Sequence, residues 1–200
     1  VTDAVKDTLL HYLQEGREAL LWKLDGLGEY DARRPLTPTG TNLLGVVKHV
    51  ASVEAGYLGD AFGRPFPEPL PWYDDDADPN ADMWATADQS REYIVGLYRR
   101  VWAHSDATVA ALPLETSGTV PWWPEERRHP TLHRLLVHMI AETQRHAGQL
   151  DILRELIDGA VGLRPRSPNL PDQEATAWQA YRDRIEQAAR EAGGVSGPAG

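Results

Sequence analysis

His138, Glu142 and His146 follow one another at intervals of four inside a long stretch of helical pattern. An α-helix turns about 100° per residue, so side chains four apart stack on one face. Far upstream, in a second helix-like run, stands His49. Two helices packed side by side could aim two imidazoles and a carboxylate at one point. Nitrogen and oxygen donors of that kind suit a divalent transition metal.

Each of these residues also has a plainer reading. On a helical wheel with Leu132 at zero, Leu135, Leu136, Met139, Leu150, Leu153 and Ile157 fall within about 60° and define the apolar face. His146 lies inside that arc, Glu142 just outside it, and His138 further round. A carboxylate turned toward a core needs a partner. For Glu142 that partner is either an Arg or His of a neighbouring helix or a metal shared with His146. His49 sits at the edge of an apolar face with Val46 and Val53, where an imidazole is a ligand or a hydrogen-bonded core residue. Glu54 falls in the middle of that face. It would orient a ligating imidazole or pair with an inward Arg, for which Arg154, near the centre of the later helix's apolar face, is one candidate. Arg154 is also expected, with the loops before the third and fourth helices, to shape a pocket for substrate. His138 reads as a supporting or pocket-lining group. His11, His104, His129 and His133 read as surface or capping residues, and Trp122 and Trp123 as a loop plug that could wall a pocket mouth.

The elements that must position these groups are helical. Val5, Leu9, Tyr12, Leu13, Leu20, Leu24 and Leu27 predict a first helix over about 3–27. After a loop broken by Pro35, Pro38 and Gly40, a second helix is expected over about 41–62. Residues 64–82, with their prolines and the acidic run Asp74, Asp75, Asp76 and Asp78, read as a solvated turn without the spacing of an EF-hand. Thr86 with Gln89 makes a capping box that would open a third helix through Tyr93, Leu97, Val101 and Val109. Thr131 caps a fourth, stopped by Gly159. Beyond Pro165, Pro168 and Pro171, Asp172 would cap a fifth helix carrying Trp178, Tyr181 and Ile185. No alternating β-branched run suggests a strand. The expected fold is all-α: a four-helix bundle over residues 1–160, a Pro-rich linker over 161–171, an additional C-terminal helix over 172–192 and a flexible tail from 193 to 200.

Composition narrows the function. The chain has 200 residues, 30 acidic and 20 basic side chains, a formal net charge of −10 and no cysteine. The acidic balance argues against nucleic acid or an anionic membrane as partner. Without cysteine there is no disulfide, thiolate metal site or cysteine nucleophile. No stretch has the length and apolarity of a membrane span, and the beginning lacks a signal-peptide pattern, so a cytoplasmic protein is expected.

Two segments together resemble a known family. Leu44-Gly45-Val46-Val47-Lys48-His49-Val50-Ala51-Ser52-Val53-Glu54 and, later, His138-Met139-Ile140-Ala141-Glu142-Thr143-Gln144-Arg145-His146-Ala147-Gly148-Gln149 resemble the DinB-like superfamily. More narrowly, they are similar to its actinobacterial, YfiT-like branch related to mycothiol-dependent maleylpyruvate isomerase. The resemblance runs over about residues 5–160 and implies a four-helix bundle with a divalent metal near one end of its core. Its ligand pattern falls on His49, Glu142 and His146, with Glu where other branches carry a second His. Characterised relatives use low-molecular-weight thiols, so the resemblance implies a metal-dependent thiol S-transferase acting on a mycothiol-like cosubstrate and an electrophilic acceptor. Zinc is the first candidate for the ion, with nickel, iron or manganese as alternatives, and a homodimer is expected from relatives. Past Gly159 the resemblance lapses, and the larger C-terminal domain of the isomerases has no counterpart. A metal-dependent hydrolase and a non-enzymatic metal-binding stress protein are the competing readings.

Overall fold

The computed structural model describes residues 2–74, 76–165 and 167–195. Among them are six α-helices and no strand: α1 (Thr2–Trp22), α2 (Glu29–Arg33), α3 (Leu43–Leu58), α4 (Arg91–Ala111), α5 (Leu132–Asp158) and α6 (Ala175–Gly193). Two compact units divide the chain after Pro168, and none of the described helices is long and apolar enough to cross a membrane. The all-α expectation is met.

Local chemistry sets the helix ends. The Asn42 side chain accepts from Gly45 N at 2.7 Å and starts α3. Thr131 does the same for Arg134 N in α5, whose far end is closed by Gly159 at φ 77°, where a Cβ would be strained. Three expected boundaries move. The first helix stops at Trp22 because Gly26 takes a left-handed turn (φ 76°). The third begins at Ser90, which accepts from Tyr93 N, while the Thr86 amide donates to Gln89 Oε1 in the loop before it. The last begins after Glu174 and not at Asp172. A short helix, α2, occupies part of the stretch read as loop.

In the first unit α5 packs against α1 and α3, and α3 against α4. α1 therefore sits diagonally across from α3, and α4 from α5, so the connections from α1 to α3 and from α4 to α5 cross the bundle, while the one from α3 to α4 joins neighbours. Two apolar clusters fill it. One holds Leu20, Leu24, Val46, Val47, Val50, Ile94, Leu150 and Leu153. The other holds Leu13, Tyr57, Leu58, Val109, Leu132, Leu135, Leu136 and Met139. Between them in chain register lie the buried polar residues Arg17, Glu54, Ser105 and Thr143. Asp74, Asp76 and Asp78 are exposed, as a solvated turn requires, and Asp75 lies outside the described residues.

The second unit is the segment containing α6. Trp178 and Tyr181 meet edge to face with centroids 5.8 Å apart, and none of the helix's residues is buried. Most of the tail expected from Gly193 lies outside the described residues.

Candidate metal centre

α3 and α5 lie side by side, and His49 from the first faces Glu142 and His146 from the second. His49 Nε2 is 3.9 Å from Glu142 Oε1, His146 Nε2 is 3.0 Å from the same oxygen, and the two imidazoles meet edge to face with centroids 4.9 Å apart. One donor atom from each residue lies within 4.8 Å of the others. A tetrahedral ion with bonds of about 2.0–2.1 Å spaces its ligands about 3.3 Å apart, so side-chain shifts of up to about 1.5 Å would bring the three donors onto one ion.

The outer nitrogens fix which atoms face inward. His49 Nδ1 lies 2.6 Å from Asp82 Oδ2, and His146 Nδ1 lies 2.8 Å from Gln149 Oε1. With the ring proton on Nδ1, donated to those oxygens, each imidazole turns an Nε2 lone pair inward; in the other tautomer His146 Nε2 donates to Glu142 Oε1. In the first tautomer two lone pairs converge on a carboxylate oxygen, the arrangement a cation requires. Burial, followed by the nearby His49, holds the His146 pKa below the ordinary imidazole value, so a second ring proton is disfavoured. The residue set fits a cation: two imidazole nitrogens and one carboxylate oxygen, each imidazole held from behind by a side-chain oxygen.

Asp82 is the residue the sequence reading missed. It sits in a 3₁₀ turn, Ala81–Met83, in the stretch expected to be only a solvated loop. Burial pushes its carboxyl up, but the His49 hydrogen bond and charge outweigh that and hold it below the usual aspartate value. The turn is clamped onto α3 by Lys48, whose buried Nζ donates to Ala81 O and Trp84 O at 2.8 Å each and to Gln89 Oε1 at 3.1 Å. Burial lowers the Lys48 pKa to about 8. Gly45 allows the approach, since a Cβ there would stand 1.8 Å from Met83 O.

Two other expected participants lie elsewhere. Glu54 does not orient His49: five residues further along α3, it points about 140° away around the axis. It takes a bidentate bond from Arg17 of α1, at 2.6 and 3.2 Å, and Arg17 also reaches Asp106 at 2.9 Å. The inward Arg that Glu54 needs is thus Arg17 and not Arg154. Arg154 lies two turns past His146, where it holds Asp158 and donates to Lys23 O at 2.8 Å, joining the ends of α5 and α1. His138 is half-buried one turn before Glu142, its ring edge to face with Tyr57 (4.7 Å) and Trp123 (5.2 Å). Trp122 and Trp123 both donate to Tyr57 Oη, at 3.3 and 3.0 Å, which pins their loop to α3.

A family model described as mycothiol-S-transferase matches residues 8–159. That span begins within α1, ends at the glycine that closes α5, and includes all three converging donors. No curated protein matches the chain.

Proposed function

Because the chain belongs to the mycothiol-S-transferase family, we propose that it transfers a low-molecular-weight thiol of the mycothiol type to an electrophilic carbon, at a divalent metal held by His49, Glu142 and His146. The observation that carries this reading is the convergence of His49, Glu142 and His146, each offering a donor atom, in a member of a family of thiol transferases. A divalent cation bound there, zinc first among the candidates, would supply the Lewis acidity that makes a thiol available as thiolate at neutral pH.

The chain's own residues do the rest. Asp82 and Gln149 keep His49 and His146 in the tautomer that presents Nε2. Glu142 brings the negative charge that a dication needs beside two neutral ligands. Three protein donors leave open positions, as in catalytic and not purely structural sites. The absence of cysteine fits a reaction whose sulfur arrives with the cosubstrate. The thiol proton leaves to solvent, the sulfur attacks the acceptor carbon, and the displaced group departs with its electron pair.

The test is thiol consumption by protein of measured metal content, with an alkylating acceptor such as monobromobimane. Turnover should follow metal occupancy and fall at least a hundredfold in His49→Ala and His146→Ala. Turnover that persists in both variants, or after complete chelation, would overturn the reading.

A further inference from the structure

Next to the proposed centre, a cleft of about 260 Å³ opens between the start of α5 and the loop before it, lined by Trp123, Arg127, Arg134 and His138. Three features set it apart from an ordinary surface groove. Neither Arg127 nor Arg134 has a carboxylate within ion-pair distance among the described residues, although the chain carries 30 acidic side chains against 20 basic ones. The neighbouring Arg128, by contrast, is paired with Glu125 at 2.6 Å. The cleft wall is also rigid: the Trp123 indole is hydrogen-bonded to Tyr57, stacked edge-on against His138, and faced by the Arg134 guanidinium at 5.4 Å. Finally, His138 precedes Glu142 by one turn of the same helix, which places the cleft about 6 Å along the axis from the converging donors.

Two unpaired guanidiniums over an aromatic floor recognise a planar anion. Arginine presents its donors as a fork matched to a carboxylate, and its plane stacks on aromatic faces. We propose that this cleft is the acceptor subsite of the enzyme and selects electrophiles carrying a carboxylate one helical turn from the reacting carbon. The inference rests on the thiol-transfer reading for the word acceptor, but not for the binding of the anion.

A pair of probes separates the two. 4-Methylbenzoate and its neutral amide test binding without chemistry, followed by tryptophan fluorescence and calorimetry on the metal-loaded protein. 4-(Bromomethyl)benzoate and its amide test transfer: the thiol sulfur bonds to the benzylic carbon, the carbon–bromine bond breaks, bromide leaves and the thiol proton goes to solvent. The carboxylate should bind about tenfold or more tightly than the amide, as charge-assisted bonds imply. Arg127→Gln and Arg134→Gln should each remove most of that preference, leaving the amide's affinity and the metal content unchanged. In turnover the same variants should raise KM for the benzoate and not for the amide. Equal binding of the two probes, or a preference that survives both substitutions, would overturn the proposal. So would variants that weaken the thiol cosubstrate instead of the acceptor. If the binding preference appears as expected but no thiol is alkylated, the anion site stands and the transfer reading falls. Both arginines are exposed, so the variants are expected to fold, and their melting curves check this.

Discussion

Asp82 Oδ2 stands 2.6 Å from His49 Nδ1 and ties a single 3₁₀ turn to the middle of α3. Without that bond His49 would be free to turn its ring or change tautomer, and its Nε2 would no longer be fixed toward Glu142. Asp82→Asn keeps the shape but can offer its amide NH₂ where an acceptor is needed. Metal affinity should fall about 10–100-fold, the usual cost of losing such a supporting carboxylate. The melting temperature of the metal-free protein should barely change. Titration with zinc against a competing chelator measures the affinity, and an unchanged value would show that Asp82 does not set the ring.

The same geometry makes Gly45 a sensitive position. A methyl group there would overlap Met83 O at 1.8 Å, and that atom is backbone, which cannot rotate aside. The Ala81–Met83 turn must lift, taking Asp82 from His49 and loosening the grip of Lys48. Gly45→Ala should destabilise the fold by about 1–3 kcal/mol, as overpacking does. It should weaken the metal as much as Asp82→Asn. Urea unfolding and the chelator competition together distinguish it from a simple loss of stability.

Much of this organisation is legible in the sequence, because a helix repeats. The faces carrying His49, Glu142 and His146 follow from periodicity, and so does the Gly159 stop. Arg17 could have been found too: it lies four residues after Leu13 and three before Leu20, on the first helix's own apolar stripe. A charge there demands a buried partner as strongly as Glu54 does. Asp82 has no comparable signal. It lies in a proline-rich stretch without a repeat, and only the tertiary clamp formed by Lys48 and the space at Gly45 brings it to His49. Thr86 misled for a related reason. Its amide does bond Gln89, but that local bond closes a turn before the helix and does not begin it.

The Arg17–Glu54 pair crosses the bundle between its two apolar clusters and is almost wholly inaccessible to water. Breaking it leaves an uncompensated buried charge, which typically costs about 3–5 kcal/mol. Arg17→Met alone should therefore destabilise strongly. The double variant Arg17→Met, Glu54→Leu should recover most of the loss, because no buried charge is left without a partner: Asp106, which Arg17 also holds, is exposed to water. Denaturant unfolding of the two single variants and the double gives the coupling. A double variant as unstable as the sum of the singles would show that the pair acts mainly through shape.

Acid should loosen the metal-free protein in a defined interval. Burial, followed for His146 by the proximity of His49 and opposed by Glu142 and Gln149, holds that imidazole below its ordinary value of 6.5. Burial does the same to His138, with Glu142 opposing and Arg134 assisting. Each group binds its proton more weakly folded than unfolded. Their contribution is thus fully present above about pH 6.5 and is lost as pH falls through the folded values. One such group changes stability by at most about 1.4 kcal/mol per pH unit. Urea midpoints measured in chelator should be flat with respect to these groups above pH 7 and decline below 6.5. His138→Phe retains the aromatic contacts with Tyr57 and Trp123 but cannot titrate, so its decline should be shallower. A variant curve parallel to that of the parent protein through this interval would mean that His138 protonates equally in both states.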